Sequence, residues 1–191
     1  ILFIALTTYV LLLILLRSAI LPLKALVMNA LSLVASYGAL VWVFQEGHLS
    51  GLLNFSPLGF IEASLPIIMF CTLFGLSMDY EVFLLSRIQE AYATSGDNAR
   101  SVADGLQRSG KIITSAALIV VCVSLSFVTA DIVLIKALGL GVAIAVAVDA
   151  TIVRALLVPA TMRLLGDWNW WAPRFVRKSG AGPLSPQWVA K

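Results

Sequence analysis

The stretch Phe74–Ile88, FGLSMDYEVFLLSRI, sets Asp79, Tyr80 and Glu81 inside a run that otherwise has the composition of a membrane-crossing helix. A charged side chain at the centre of such a helix costs roughly 2.5–3.5 kcal/mol on insertion scales. Burial at that cost calls for a compensating role, and the rest of the chain indicates which.

Of the 191 residues, 60% are hydrophobic and 12% charged, whereas about a quarter of a soluble domain is charged. This is the composition of an integral membrane protein. The formal charge of +3 comes from Lys and Arg lying mostly between or after apolar runs, with no interleaved aromatic patch, which excludes nucleic acid as a partner. Cys71 and Cys122 sit within apolar runs without CxxC or Cys/His spacing, so neither a disulfide nor a metal site is expected, and no cofactor is implied. The opening ILFIALTTYV lacks a basic leader and a cleavage site. It reads as a membrane helix in a piece of a longer protein.

Five apolar segments, about 1–17, 24–45, 64–87, 111–130 and 132–160, are each close to the length that crosses a bilayer. No period-2 alternation suggests a barrel, and open strands leave their backbone unsatisfied in lipid. The expectation is an all-α bundle of transmembrane helices over 1–166 and a flexible polar tail over 167–191. Basic residues set the orientation. Arg17 and Lys24 follow the first helix, Arg87, Arg100, Arg108 and Lys111 follow the third, and Arg163, Arg174, Arg177, Lys178 and Lys191 end the chain. The alternate links carry no Lys or Arg, with Lys136 the only basic residue nearby. This places the N-terminus outside and the C-terminus in the cytoplasm.

Between Arg87 and Lys111 the residues Ala99, Val102, Ala103 and Leu106 recur at helical spacing, and Gly96-Asp97 has the chemistry of a helix stop followed by an N-cap. An interfacial amphipathic helix is expected over about 97–109. Trp168, Trp170 and Trp171 cluster as an aromatic belt would.

Stepping back in fours from Asp79 gives Gly75 and Cys71, and from Asp149 gives Ala145, Gly141 and Ala137. Both acids thus end a stripe of small residues, the surface on which membrane helices approach one another. Cys71, Gly75, Gly141 and Ala145 are the expected helix contacts, with Asp79 pointing into the bundle and Asn29, Ser32 and Ser36 lending hydrogen bonds. A desolvated intramembrane carboxylate can load and release protons, and its change of charge alters the preferred helix packing. The alternative is that the acids only hold the bundle together; for Asp149, Arg154 could supply the neutralising charge. Glu81 is expected to snorkel and anchor.

GLSMDYEVFLLSRI closely resembles the MMPL branch of the RND superfamily, the mycobacterial-membrane-protein-Large-like transporters, which carry an Asp-Tyr pair in their fourth and tenth helices. LPLKALVMNALSLVASYGALVWVFQEG, SGKIITSAALIVV and VDATIVRALLVPATMRLLGDWNWWAP are similar to the same family in the same order, covering nearly the whole chain. The resemblance implies the C-terminal half of a proton-driven exporter of lipids or other hydrophobic molecules in a bacterial inner membrane. It makes these helices eight to twelve and puts Asp79, Tyr80 and, less directly, Asp149 in the proton relay. The implied partners are protons, membrane lipids, a lipidic substrate and the absent N-terminal half; a homo-oligomer is also compatible.

Two rival classes remain open on the sequence. An intramembrane enzyme would need a nucleophile and base, but the only histidine, His48, lies in a loop. A non-transporting scaffold or sterol-sensing-like domain has a similar helix arrangement without proton-linked flux.

Overall fold

The computed structural model describes residues 2–56, 59–60 and 62–171, and every statement of absence below refers to these. The chain is all-α. Helix α1 spans Leu2–Leu16, α2 Ile20–Leu40 with a π-helical continuation Val41–Gln45, and α3 is the short Ser50–Leu53. Helices α4, Ser64–Ser95, and α5, Asn98–Ser126, are the longest. The last rod comprises α6, Val133–Val148, a π-helical run Asp149–Leu157, and α7, Val158–Leu165, followed by a 3-10 turn Gly166–Trp170. Four of these, Ile20–Gln45, Ser64–Ser95, Asn98–Thr129 and Val133–Leu165, are long and apolar enough to cross a membrane; Leu2–Leu16 is apolar but shorter.

The starts and stops follow local chemistry. Ser18 caps α2 by accepting from the Leu21 amide at 3.3 Å, so the helix begins ahead of Pro22, which the first turn tolerates because its missing N–H would be unpaired there. Gly96, at φ +68°, ends α4. The Asp97 carboxylate then caps α5, accepting from the amides of Ala99 at 2.8 Å and Arg100 at 3.2 Å.

The segment 97–109 is not a separate surface helix. It is the first part of α5, continuous with the apolar part. Its inward face is also not the apolar one anticipated: Ser101, Val102, Gly105 and Ser109 are buried while Ala99 and Ala103 are exposed. Ser101, Gly105 and Ser109 recur every four residues, a small-residue stripe that allows backbones to approach closely. A Cβ built on Gly105 would collide with Ile88 of α4, whose Cα and N lie 3.1 Å away.

Two compact units divide the chain. Among the described residues, one comprises 2–28, 79–111 and 155–171, the other 29–56, 59–60, 62–78 and 112–154. The second unit's apolar core gathers Leu33, Leu40, Phe44, Met69, Leu73, Val142 and Val146, among others. Residues 172–191, most of the expected flexible tail, lie outside the described residues.

Candidate functional site

In the second unit a polar cluster interrupts the apolar core. Asp149 and Arg154, 8% and 3% exposed, form an ion pair in which Arg154 Nη2 lies 2.6 Å and Nε donates at 2.8 Å to one carboxylate oxygen, Oδ2. Ser77 donates to that same oxygen at 3.2 Å and Ser32 to Oδ1 at 3.3 Å. The guanidinium also donates to the Ser77 carbonyl at 2.7 Å. One turn along α2, Ser36 donates to the Gly141 carbonyl at 2.9 Å.

The π-helical backbone makes the Asp149–Arg154 pair possible. In an α-helix, residues five apart point about 140° away from each other at 3.6 residues per turn. In a π-helix the i→i+5 turn stacks them. The π run ends just before Pro159, which has no N–H to donate and whose ring clashes with an α-helical i−4 carbonyl. The sequence signal was therefore Asp149, Arg154 and Pro159 read together.

Of the small residues expected at helix contacts, Gly141 and Ala145 are buried. A Cβ on Gly141 would lie 2.7 Å from Met69 Cε and 3.1 Å from Leu40 Cδ1, so the glycine lets the ends of these two side chains come close. Cys71 and Gly75 are instead exposed, with nothing within 4 Å of a Cβ on Gly75. Asp79 does not point into the bundle either: it is exposed, and no salt bridge among the described residues involves it. The reason lies in the angular pattern of α4. Its buried residues Leu73, Ser77, Met78, Glu81, Leu84, Leu85 and Ile88 follow one helical face, and two residues span about 200° of helix. Facing Glu81 inward turns Asp79 outward. Tyr80 is half-buried.

Glu81 was expected to anchor at the interface, yet it is 1% exposed. Its partner is Lys24 of α2, 7% exposed, which is not a loop residue as its place after the first apolar run suggested; the two interact electrostatically within the first unit. A buried Glu requires a cation nearby, and the only basic residue within the apolar part of α2 is Lys24. A third buried cation, Lys136, donates to the carbonyls of Leu53 at 2.7 Å and Asn54 at 3.1 Å, closing off the end of α3. Asn29 is buried as expected, but its amide makes no hydrogen bond among the described residues.

With this arrangement in view, the comparison with known proteins is specific. The MMPL family model matches residues 1–188. The chain belongs to the MMPL family. It is 44% identical over 176 residues to the mycolic acid-containing lipids exporter MmpL11 of Mycolicibacterium smegmatis, covering 92% of this chain and 18% of that protein. It is 45% identical over 174 residues to the heme uptake protein MmpL11 of Mycobacterium tuberculosis, covering 91% and 18%. To the trehalose monomycolate exporter MmpL3 of M. smegmatis it is 44% identical over 172 residues, covering 90% and 17%. The chain therefore spans less than a fifth of the length of these MMPL relatives. It is a multi-pass membrane protein of a transporter family.

Proposed function

We propose that this chain is the C-terminal membrane portion of a proton-motive-force-driven MMPL exporter of lipids or other hydrophobic molecules. The observation that carries this reading is the exposure of Asp79 on a membrane-crossing helix, at the end of the Cys71–Gly75 stripe and without a counter-ion among the described residues. An ionised acid facing lipid is too costly to persist. The stripe is therefore a seam for another part of the full-length protein, the N-terminal half, and Asp79 is the group at that seam free to change its charge. Tyr80, next in sequence and half-buried, supplies a hydroxyl that can donate to a carboxylate of the other half.

A proton crossing 100 mV releases about 2.3 kcal/mol, enough to bias helix packings that differ by a few kcal/mol. Asp149 takes a secondary part, because Arg154 already neutralises it. The relatives named as lipid exporters support a lipidic substrate, and the one named for heme uptake widens the class to other hydrophobic molecules.

The deciding experiment is Asp79→Asn in the full-length protein, with export and membrane abundance measured in the same cells. Asparagine keeps the shape of the protonated acid but carries no titratable proton. Normal abundance with export reduced at least tenfold is expected. Normal export would end the relay reading, and loss of export in proportion to abundance would make Asp79 a structural residue. Tyr80→Phe should reduce export less. The proposed orientation is tested by an impermeant thiol reagent on intact cells, which should label His48→Cys and spare Gly96→Cys; the reverse pattern would invert it.

A further inference from the structure

The three tryptophans near the chain's end do not form one belt. Trp168 and Trp171 are exposed, at 74% and 58%, but Trp170 turns inward and Asn169 between them is fully buried. The 3-10 turn that carries them makes contacts with three separate helix ends of the first unit. Trp170 stacks on Tyr92, near the end of α4, with ring centroids 4.0 Å apart and planes 7° from parallel. Its indole N–H donates to the side-chain oxygen Oδ1 of Asn98 at 3.1 Å, at the start of α5. The Asn98 side-chain Nδ2 in turn donates to the Met162 carbonyl at 2.8 Å, and the Asn169 side-chain Nδ2 donates to that same carbonyl at 2.7 Å. This carbonyl lies in the last turn of α7 and also accepts from the Gly166 amide that caps the helix, so three donors converge on it.

On its other side the turn holds the link between α1 and α2. Ser18 Oγ donates to the Asn169 carbonyl while its oxygen caps α2, and the Ala19 amide donates to the Trp171 carbonyl at 3.0 Å. From α4, Gln89 donates to the Leu16 carbonyl at 3.0 Å. Between these contacts sits Arg17 at φ +48°, a left-handed conformation that a long side chain adopts only where the surroundings impose it.

The geometry points to residues 166–171 acting as a latch that makes the α1–α2 link, the α4–α5 turn and the end of α7 one cooperative body. Each contact alone is an ordinary hydrogen bond. Chained through Asn98, the Met162 carbonyl, Asn169 and Ser18, they leave no end able to open without exposing buried polar groups at the next. The helix carrying Asp79 is thereby tied at its far end to α1, α2 and α7. Movement of α4 relative to those helices requires the latch to release.

Hydrogen exchange on the full-length protein tests this, because the Ala19 amide lies at one end of the chain of contacts and Trp170 acts at the other. Trp170→Ala should speed exchange at 96–101, where Trp170 itself bonds, and should also speed exchange of Ala19 at least tenfold. A rise confined to 96–101 would overturn the latch, leaving independent contacts. Should Trp170→Ala fail to accumulate, Trp170→Phe keeps the stack on Tyr92 and removes only the indole donor. It should speed Ala19 exchange severalfold, and an unchanged Ala19 with faster exchange at 98–101 would overturn the proposal equally. The readout is exchange alone, so it stands apart from which molecule is transported.

Discussion

Asp79 and Asp149 each end a run of small residues spaced by four, and in the folded chain they meet opposite conditions. Asp149 is sealed within its unit, with Arg154, Ser77 and Ser32 accounting for its oxygens. Asp79 faces outward with no counter-ion among the described residues. A small-residue stripe marks a surface where a helix is approached closely, but it does not say by what. Gly141 is approached by Met69 and Leu40 of the same chain, whereas nothing comes near Gly75.

The largest effect expected from this difference is on stability at the sealed site. Arg154→Met leaves a buried carboxylate without its cation and should cost about 3–5 kcal/mol, enough to deplete the protein from the membrane. Adding Asp149→Leu should recover most of that loss, because apolar replacement of both partners is close to neutral. The same logic applies to the other buried pair, so Glu81→Gln should be severe and Glu81→Leu with Lys24→Met mild. Asp79→Asn should instead leave the melting temperature nearly unchanged while removing export. If Asp79→Asn destabilised as strongly as Arg154→Met, the two acids would be alike and the contrast would fail.

Much of this was legible in the sequence, and most of the failures share a cause. Apolar run lengths gave the helices, Gly96-Asp97 gave the turn between α4 and α5, and spacing from Asp149 identified Gly141 and Ala145 as buried. What run length cannot show is which way a helix faces. The place of Glu81 near the cytoplasmic end of its apolar run suggests an interfacial anchor, yet the buried series Met78, Leu84, Leu85, Ile88 includes it and turns Asp79 outward. Lys24 differs in cause: it stands at the edge of the second apolar run, and the Ser18 cap that starts α2 at Ile20 puts it inside a helix. The face of 97–109 was misjudged because apolarity was weighed above size, when Ser101, Gly105 and Ser109 pack by being small. Trp170 looked like its exposed neighbours, and only the partners Tyr92 and Asn98, more than seventy residues away in sequence, separate it from them.

Overpacking at the close contacts should come next in size. Gly105→Ala meets the backbone of Ile88, and Gly139→Ala meets the Ser124 carbonyl at 2.5 Å and Phe127 Cβ at 2.6 Å. Backbone and Cβ atoms cannot swing aside as a side-chain end does, so each should cost about 1–3 kcal/mol, measured as lowered thermal stability in detergent. Gly141→Ala meets the flexible end of Met69 and should fall at or below the low end of that range. A cost at Gly141 above that at Gly139 would show that Met69 is held as rigidly as backbone.

The smallest effect on the fold of this chain should come from Gly75→Leu, and it is the sharpest test of what the outward stripe is for. A Cβ there meets nothing within 4 Å, and the position is exposed, so the substitution should shift the stability of these helices by no more than about 0.5 kcal/mol. Leucine is also as compatible with lipid as any residue, so insertion should not suffer. In the full-length protein the outcome depends on what covers the stripe. If the N-terminal half packs there, a leucine four residues before Asp79 holds the two surfaces apart and export should fall at least tenfold at normal abundance. If Gly75→Leu exports normally, the stripe faces lipid, the covering of Asp79 must be sought elsewhere, and the proposed seam through Cys71, Gly75 and Asp79 is wrong.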